Sequence, residues 1–318
     1  MRYSFTLATL GILTWVISAA AQNLHVSTLA ELNASGGVTT DSQGRVYVSD
    51  FGPQLGSRPE NASIYVWNEA SNAFTEFATG FPGASGSCFD ADGNLYQASP
   101  SGTIAKISLE GEVDYSWWTA DLQTPIGLEA DPEGNIYVCN CSGNSIGKVS
   151  QEGYEVFAES ELFACPNGLA QDEQGNLYAC NFNDGKVFRI DPDGVVSLVI
   201  ELPALSAGPA QVGNGHLIYS HGWLYVTTIG RGEVYRVATD GSTHDRIAGQ
   251  ALAFTNTDGP ALEATFSKPN GIAASITGDT LYINVSEPKW TDNPAGLHPA
   301  KVRMITGVCS LPNSHCDP

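Results

Sequence analysis

Apolar and polar residues alternate along this chain in short runs with a period of two, and Gly, Asp, Asn or Pro closes most runs. That is the signature of half-buried strands joined by tight turns, and no helical spacing competes with it. One frame organises the runs. In "NGLAQDEQGNLYACN" a leading glycine, Gly168, is followed seven residues later by Gly175 and then by Leu177-Tyr178. The step of seven recurs at 37/44, 86/93, 127/134, 215/222 and 271/278, the last copy carrying one extra residue before its Tyr282. Leading glycines lie 41 to 56 residues apart, a period that points to a propeller or another repeat array.

Each copy divides into four strands. The first follows the leading glycine and the second follows the turn, as in "GLAQD" and "NLYAC". Third strands are expected at 63–67, 103–107, 145–149, 186–190, 233–237 and 301–305, and fourth strands at 74–78, 113–117, 154–158, 195–199 and 245–249. The sixth copy lacks a fourth strand, but "LHVSTLAEL" at 24–32, ahead of the first copy, has that character. Pairing it beside 301–305 closes a ring and leaves only short, protected sheet edges. The pattern therefore predicts an all-β fold, a six-bladed β-propeller with four-stranded blades, closed by the N-terminal strand in the last blade.

Composition sets further limits. The opening "MRYSFTLATLGILTWVISAAAQ" carries Arg2, an apolar run from Leu7 to Ile17 and small residues from Ala19 to Ala21. Residues 1–21 are therefore read as a secretory signal and residues 22–318 as a single β-propeller domain. The apolar run is too short to span a bilayer, so the expected location is secreted or in the secretory lumen, with no stable membrane association. With 14 Lys plus Arg against 34 Asp plus Glu, the chain lacks the clustered cations that nucleic-acid phosphates require. Sequons at Asn33, Asn61, Asn140 and Asn284 suit glycosylation on a secretory route. Seven cysteines should mostly pair there and leave one over. Cys309 and Cys316 can close a terminal loop, and Cys141 and Cys165 fall on the same face of the ring; Cys88, Cys139 and Cys180 stay unresolved. A zinc site at "CNC", 139–141, lacks the second Cys or His pair that would complete it.

In such a ring the first strand starts at the mouth of the central channel and the second strand returns to it. The residue before each leading glycine then lines the mouth: Gly36, Ser85, Ile126, Asn167, Asn214 and Asn270. Second strands end on the same face, near Asp50, Ser99, Asn140, Asn181, Thr228 and Asn284. The long insertions 51–62, 119–125, 254–269 and 286–300 share this face, where function tends to sit. They bring Trp118, Phe254, Phe266, Lys268, Lys289, Trp290 and His298 toward the mouth, although ordinary loop packing accounts for any single aromatic. His216 stands one residue further in, where other copies carry Val38, Leu128, Leu169 and Ile272, with Ser87 the exception. A polar residue there is either satisfied structurally or used at the channel.

The frame resembles the NHL-repeat propellers and the SMP-30/gluconolactonase-like family over essentially the whole mature chain, above all in "DGPALEATFSKPNGIAAS" followed by "KVRMI". That resemblance implies a divalent cation such as calcium, held by the residues before the leading glycines, at least one of them a carboxylate. Asn167, Asn214 and Asn270 match the neutral part, but Gly36, Ser85 and Ile126 supply no carboxylate. Three amides alone are a poor cage for a hard dication. "DADGN" at 90–94 and "DPDG" at 191–194 imitate the start of a calcium loop, but both are better read as turns. No G-x-S-x-G elbow marks a serine hydrolase.

What remains is an amide-rich, carboxylate-poor mouth suited to a small, largely apolar, carbonyl-bearing substrate. In general character the chain is similar to the fungal secreted propellers that act as hetero-Diels–Alderases in tropolone–sesquiterpenoid biosynthesis. The resemblance implies a metal-independent, cofactor-free cyclase of isomerase or lyase type, and it carries over no catalytic residue. From their position, Asn167, Asn214, Asn270 and His216 are the candidate catalytic hydrogen-bond donors. Asp50, Asn181, Thr228, Trp118, Lys268, Lys289 and Trp290 are the candidate substrate contacts. A metal-dependent lactonase and a non-catalytic binding propeller are the alternatives.

Overall fold

Each copy of the frame folds into one antiparallel sheet in the order inner, second, third, outer. A computed structural model describes residues 23–52, 60–207, 210–286 and 301–316. The signal segment and the mouth candidates Lys289, Trp290 and His298 lie outside the described residues. Blade 1 comprises Val38–Thr40, Val46–Ser49, Ala62–Asn68 and Ala73–Phe81, and blade 2 Ser87–Phe89, Leu95–Ser99, Thr103–Ile107 and Val113–Trp118. Blade 3 is Pro125–Ala130, Ile136–Asn140, Ser145–Ser150 and Gly153–Glu159. Blade 4 is Pro166–Gln171, Leu177–Asn181, Lys186–Ile190 and Val196–Glu201. Blade 5 is Leu217–Ser220, Trp223–Thr228, Glu233–Ala238 and His244–Ala248.

Blade 6 consists of Ile272–Ala274, Thr280–Val285 and Lys301–Thr306, completed by the N-terminal strand His25–Glu31. Val26 lies opposite Ile305 and Glu31 opposite Lys301, so the ring closes between the two segments expected to pair. The Asp258 carboxylate holds the seam, accepting from Thr28 N–H at 3.1 Å and from Arg303 Nη2 at 2.6 Å. Two elements were not legible from alternation because they are too short to display it. Gly259–Pro260 pairs beyond the N-terminal strand as a fifth strand of that sheet. A hairpin of Leu205–Ala207 and Ala210–Val212 joins blades 4 and 5. Several outer strands also run past their expected ends, Ala73–Phe81 most of all, because bulges against the third strand reset the period-2 pattern.

The step of seven has a local cause. The second glycine of every frame lies in the left-handed region, φ running from 75° at Gly278 to 85° at Gly134, where a side chain is strained. In blades 1, 2 and 4 an Asp opens the turn and ties it to the tyrosine of the second strand. Asp172 Oδ1 accepts from the N–H of Gln174 and Asn176, while Oδ2 accepts the Tyr178 hydroxyl at 3.0 Å. Asp41 with Tyr47, and Asp90 with Tyr96, repeat the arrangement. Turn and strand therefore form one hydrogen-bonded unit.

Apolar side chains of each sheet face the neighbouring blades, so the core is divided among the blade boundaries. Tyr137 and Ile146 of blade 3 pack with Leu177 and Phe188 of blade 4. At the closure, Leu24 and Val26 join Ile247, Phe266 and Ile283. Cys309 and Cys316 form the expected disulfide after the last strand. Cys88, Cys139 and Cys180 are free, buried thiols, and burial pushes the Cys180 thiol up to about 12. Two predictions follow from this burial. These three thiols should ignore a disulfide-exchange reagent such as Ellman's until denaturant is added. Leu24→Ala should cost about 2–5 kcal/mol in urea unfolding; a cost under about 0.5 kcal/mol would mean that the N-terminal strand does not hold the ring shut.

Candidate functional site

The channel is built by backbone contact. Inner strands of adjacent blades approach so closely at the leading glycines that no side chain fits. A Cβ on Gly127 would stand 2.4 Å from the Asn167 carbonyl oxygen, and one on Gly215 would stand 2.7 Å from that of Asn270. Inter-blade hydrogen bonds run through the same contact, from Gly37 N–H to Ser85 O at 2.8 Å and from Gly86 N–H to Ile126 O at 2.9 Å. This packing gathers the residues before the glycines around one mouth and puts the residues after them inside the channel.

The mouth is a chamber of about 400 Å³. Gly36, Ser85, Ile126, Asn167 and Asn270 line it from the positions expected. Phe51, Cys141 and Phe182 line it from the positions just after second-strand ends, Thr124 and Cys165 from connecting loops, and Val212 from the hairpin between blades 4 and 5. The Cys141–Cys165 disulfide, expected across this face, forms part of the wall. His216 is the floor. It is only 9% exposed and reaches both this chamber and a second one on the far side of the channel. Burial lowers its pKa to about 4, so the imidazole is neutral at ordinary pH. Its ring makes no hydrogen bond to any described residue.

Several expected roles need correction. Asn167 Nδ2 donates to the Gly215 carbonyl, and Asn270 Nδ2 donates to Ser35 O at 2.8 Å. These donations tie one blade to the next and leave the Oδ1 acceptor of each side chain without a donor among the described residues, while Asn167 Nδ2 keeps a second N–H. Asn214 does not join them. It is fully buried, its Nδ2 donates to Lys186 O at 3.2 Å, and its Oδ1 meets no donor among the described residues.

The second-strand ends are structural as well. Asn181 is fully buried, with Nδ2 donating to Leu162 O and to Asp184 Oδ1 and with Oδ1 accepting from Ala164 N–H. Thr228 Oγ1 donates to Glu233 O, and Asp50 Oδ1 accepts from Gly52 N–H. Burial raises the Asp50 carboxyl, but it does not line the chamber. Trp118 ends the outer strand of blade 2, far from the axis, and its Nε1 donates to Ala120 O. Phe266 is a fully buried core residue under the Arg303 guanidinium, and Phe254 is half-buried outside the chamber. Lys268 is buried with a left-handed φ of 50°, and desolvation lowers its ammonium to about 8, yet it too lies off the chamber wall. Among the sequons, Asn140 and Asn284 are buried. Their Nδ2 atoms donate to Tyr154 Oη and Gly36 O, which leaves no room for a glycan; Asn61 is exposed and Asn33 half-buried.

Sequence reasoning passed over Phe51 and Phe182, although they share with Cys141 the offset just beyond a second strand. It also passed over Glu129, two residues after a leading glycine, where the other copies carry Thr39, Cys88, Ala170, Leu217 and Ala273. Glu129 lines the second chamber.

The divalent cation implied by the gluconolactonase resemblance does not fit the mouth. Asn167 and Asn270 offer two neutral oxygens, Asn214 points elsewhere, and no carboxylate lines the chamber among the described residues. No group of three or more His, Cys, Asp or Glu side chains converges anywhere in them. A hard dication requires more, and more anionic, oxygen ligands than this.

Solved structures share the architecture. A streptogramin B lyase superposes with a TM-score of 0.59 at 15% identity, covering 91% of this chain and 99% of that one. A gluconolactonase from Xanthomonas campestris gives 0.61 at 16%, with coverage of 92% and 93%. A protein of unknown function from Bacteroides thetaiotaomicron gives 0.66 at 16%, with coverage of 89% and 76%. No family model and no curated protein matches the chain. At such identities the likeness establishes the fold alone, a six-bladed propeller.

The floor residue generates a pH prediction. Because burial depresses the His216 pKa, the unfolded chain takes up a proton that the folded chain refuses. Stability on this account is full above about pH 6.5 and falls as the pH drops toward about 4, by roughly 3 kcal/mol. Replacing His216 by Gln should remove that share of the acid sensitivity in urea titrations at neutral and acid pH. An unchanged acid dependence would show that the ring is already charged or exposed.

Proposed function

We propose that the chain is a secreted small-molecule enzyme of secondary metabolism, a metal-independent cyclase that binds a small, largely apolar, carbonyl-bearing substrate in the mouth chamber and catalyses a hetero-Diels–Alder-type cycloaddition. The observation that carries this reading is a neutral histidine at the floor of an apolar chamber walled by Phe51, Ile126, Phe182, Val212 and a disulfide. Such a chamber desolvates a carbonyl compound and leaves one strong donor for it. Two disulfides suit an oxidising compartment and support secretion. No helix among the described residues is long and apolar enough to cross a membrane.

In this mechanism His216 donates its ring N–H to the substrate carbonyl oxygen, lowering the energy of the acceptor orbital. Phe51 and Phe182 hold diene and dienophile face to face. Three π bonds become two σ bonds and one relocated π bond, with no net proton transfer, so no general base is required. Orientation contributes up to roughly 7–11 kcal/mol when the bound geometry is near attack. A single donor contributes less than the roughly 3–4 kcal/mol seen where a full oxyanion develops. The wall of this chamber offers no ionised nucleophile among the described residues, which favours cycloaddition over a covalent hydrolytic route.

The test is product analysis with the purified mature protein in ¹⁸O-labelled water, using an α,β-unsaturated carbonyl heterodiene and an unactivated alkene as probes. An unlabelled cyclic adduct formed in the presence of EDTA supports the proposal. Label in a ring-opened product, or turnover abolished by chelator and restored by one divalent ion, would move the assignment to a lactonase, and tight probe binding without turnover to a binding propeller. His216→Phe should slow turnover about tenfold to hundredfold, equivalent to about 1.4–2.7 kcal/mol of barrier. Phe182→Ala should relax the stereochemical ratio of the product.

A further inference from the structure

Beyond His216 the channel opens into a second chamber of about 560 Å³ at the opposite end of the ring, which the proposed reaction does not use. Its inner wall is aliphatic, formed by Val38, Leu128, Leu169 and Ile272. Polar side chains line the rest of the chamber, Thr39 and Thr40 on blade 1 among them, and two of the polar groups, on adjacent blades, have no partner among the described residues. Glu129 projects from the inner strand of blade 3, and no hydrogen bond or ion pair reaches its carboxyl group from any described residue. Ser87, on the inner strand of blade 2, has its Oγ buried with no partner among the described residues. The unpartnered, buried ring of His216 faces the same space. Glu173 stands exposed on the rim, where its carboxylate accepts the Tyr219 hydroxyl. Among the described residues no Lys or Arg lines the chamber.

A carboxyl group set into a fold ordinarily acquires a cation or several N–H donors, because leaving it bare carries a desolvation penalty. Here the bare carboxyl, the bare hydroxyl and the aliphatic wall meet in one cavity that is open to solvent and acidic at its rim. We propose that this chamber binds a linear aliphatic primary amine as its ammonium ion, the head group on Glu129 and Ser87 and the alkyl chain along Val38, Leu128, Leu169 and Ile272. A neutral alcohol of the same length brings no charge to pair with an ionised Glu129, and a carboxylate ligand would meet two acidic groups and no base.

Proton linkage follows from the site. Desolvation in the channel raises the Glu129 carboxyl to about 8, so in the empty site it is mostly protonated near neutrality and the ammonium ion displaces that proton. Three of the titratable groups around it add no charge near neutrality. Burial keeps Cys88 a neutral thiol, Tyr137 opposite in the ladder is raised to about 12, and His216 is neutral. His221 and the rim Glu173 also face the chamber.

The experiment is calorimetric titration of the mature protein with n-butylammonium, n-butanol and butyrate at physiological salt, in paired buffers of different ionisation enthalpy. Only butylammonium should bind, with release of nearly one proton at neutral pH. Its affinity should rise about tenfold from about pH 7 to about pH 9, as expected for a carboxyl titrating near 8. Glu129→Gln should weaken binding at least tenfold while leaving the neutral-pH melting temperature unchanged, and Glu173→Gln should weaken it only slightly. Equal binding of butanol, undiminished binding by the Glu129→Gln variant, or no binding of butylammonium to the wild-type chain each overturns the proposal. If that variant does not fold, ¹³C-carboxyl NMR of the wild type decides instead. The Glu129 resonance must move to its ionised position as butylammonium saturates, and a resonance that stays put overturns the proposal.

Discussion

Everything in this molecule depends on how closely six inner strands can approach one axis. At each leading glycine the next blade's backbone lies where a Cβ would be, as Gly86 shows with the Ile126 carbonyl oxygen 2.5 Å from that position. An alanine at any of these positions would push two blades apart, and in a closed ring the displacement has nowhere to go. The contact also satisfies buried backbone groups, since the glycine N–H donates across the blade boundary in the Gly37–Ser85 and Gly86–Ile126 pairs. The ring is therefore narrow, and its waist can be filled by a single large side chain. His216 is that side chain.

The outer parts of each blade answer to a different constraint. Sheets packed face to face need apolar residues on both faces, and the boundaries between blades share the core without any central mass. Stability is then distributed around a ring whose weakest boundary decides whether it stays closed. The chain ends meet within blade 6, where Arg303, itself fully buried, reaches Asp258 and two backbone carbonyls. Removing Asp258 leaves the buried guanidinium unpaired, a more severe defect than losing an apolar contact of similar size.

The fold was legible in the sequence because its main determinants are local. The step of seven encodes a strand plus a left-handed turn, and the Asp that opens the turn also fixes the tyrosine that follows. Third strands at 103–107 and 186–190 fall where alternation places them, and the Cys141–Cys165 pairing followed from topology alone. The site was only partly legible, since it depends on what each side chain finds across a blade boundary. Asn167, Asn214 and Asn270 occupy one frame position, yet the first two reach different carbonyls, Gly215 O and Lys186 O, and only Asn167 and Asn270 line the mouth. No spacing rule distinguishes them. Trp118 and Phe266 were drawn toward the mouth by loop length, but their indole and phenyl rings pack where apolar surface was already available. Glu129 carried a signal, as the only charged residue at its offset, but a charge on an inner strand has meaning only once the cavity beside it is known.

The two ends of the channel have opposite chemistry, and His216 is common to both. A neutral imidazole carries one N–H and one bare nitrogen, so it donates on one side and accepts on the other. If the N–H is turned to the mouth, a substrate carbonyl there finds a donor while the far chamber faces an acceptor, which an ammonium ion prefers. The opposite tautomer would present an acceptor to the carbonyl and a donor to the cation, and neither contact is favourable. A carbonyl compound in the mouth and a cation in the far chamber would therefore select the same tautomer of one ring. Their bindings would then be coupled with positive sign, reciprocally, although the two ligands share no contact. The coupling needs no movement of the blades, only a proton held on one nitrogen, and it would vanish in a protein with Phe in place of His216.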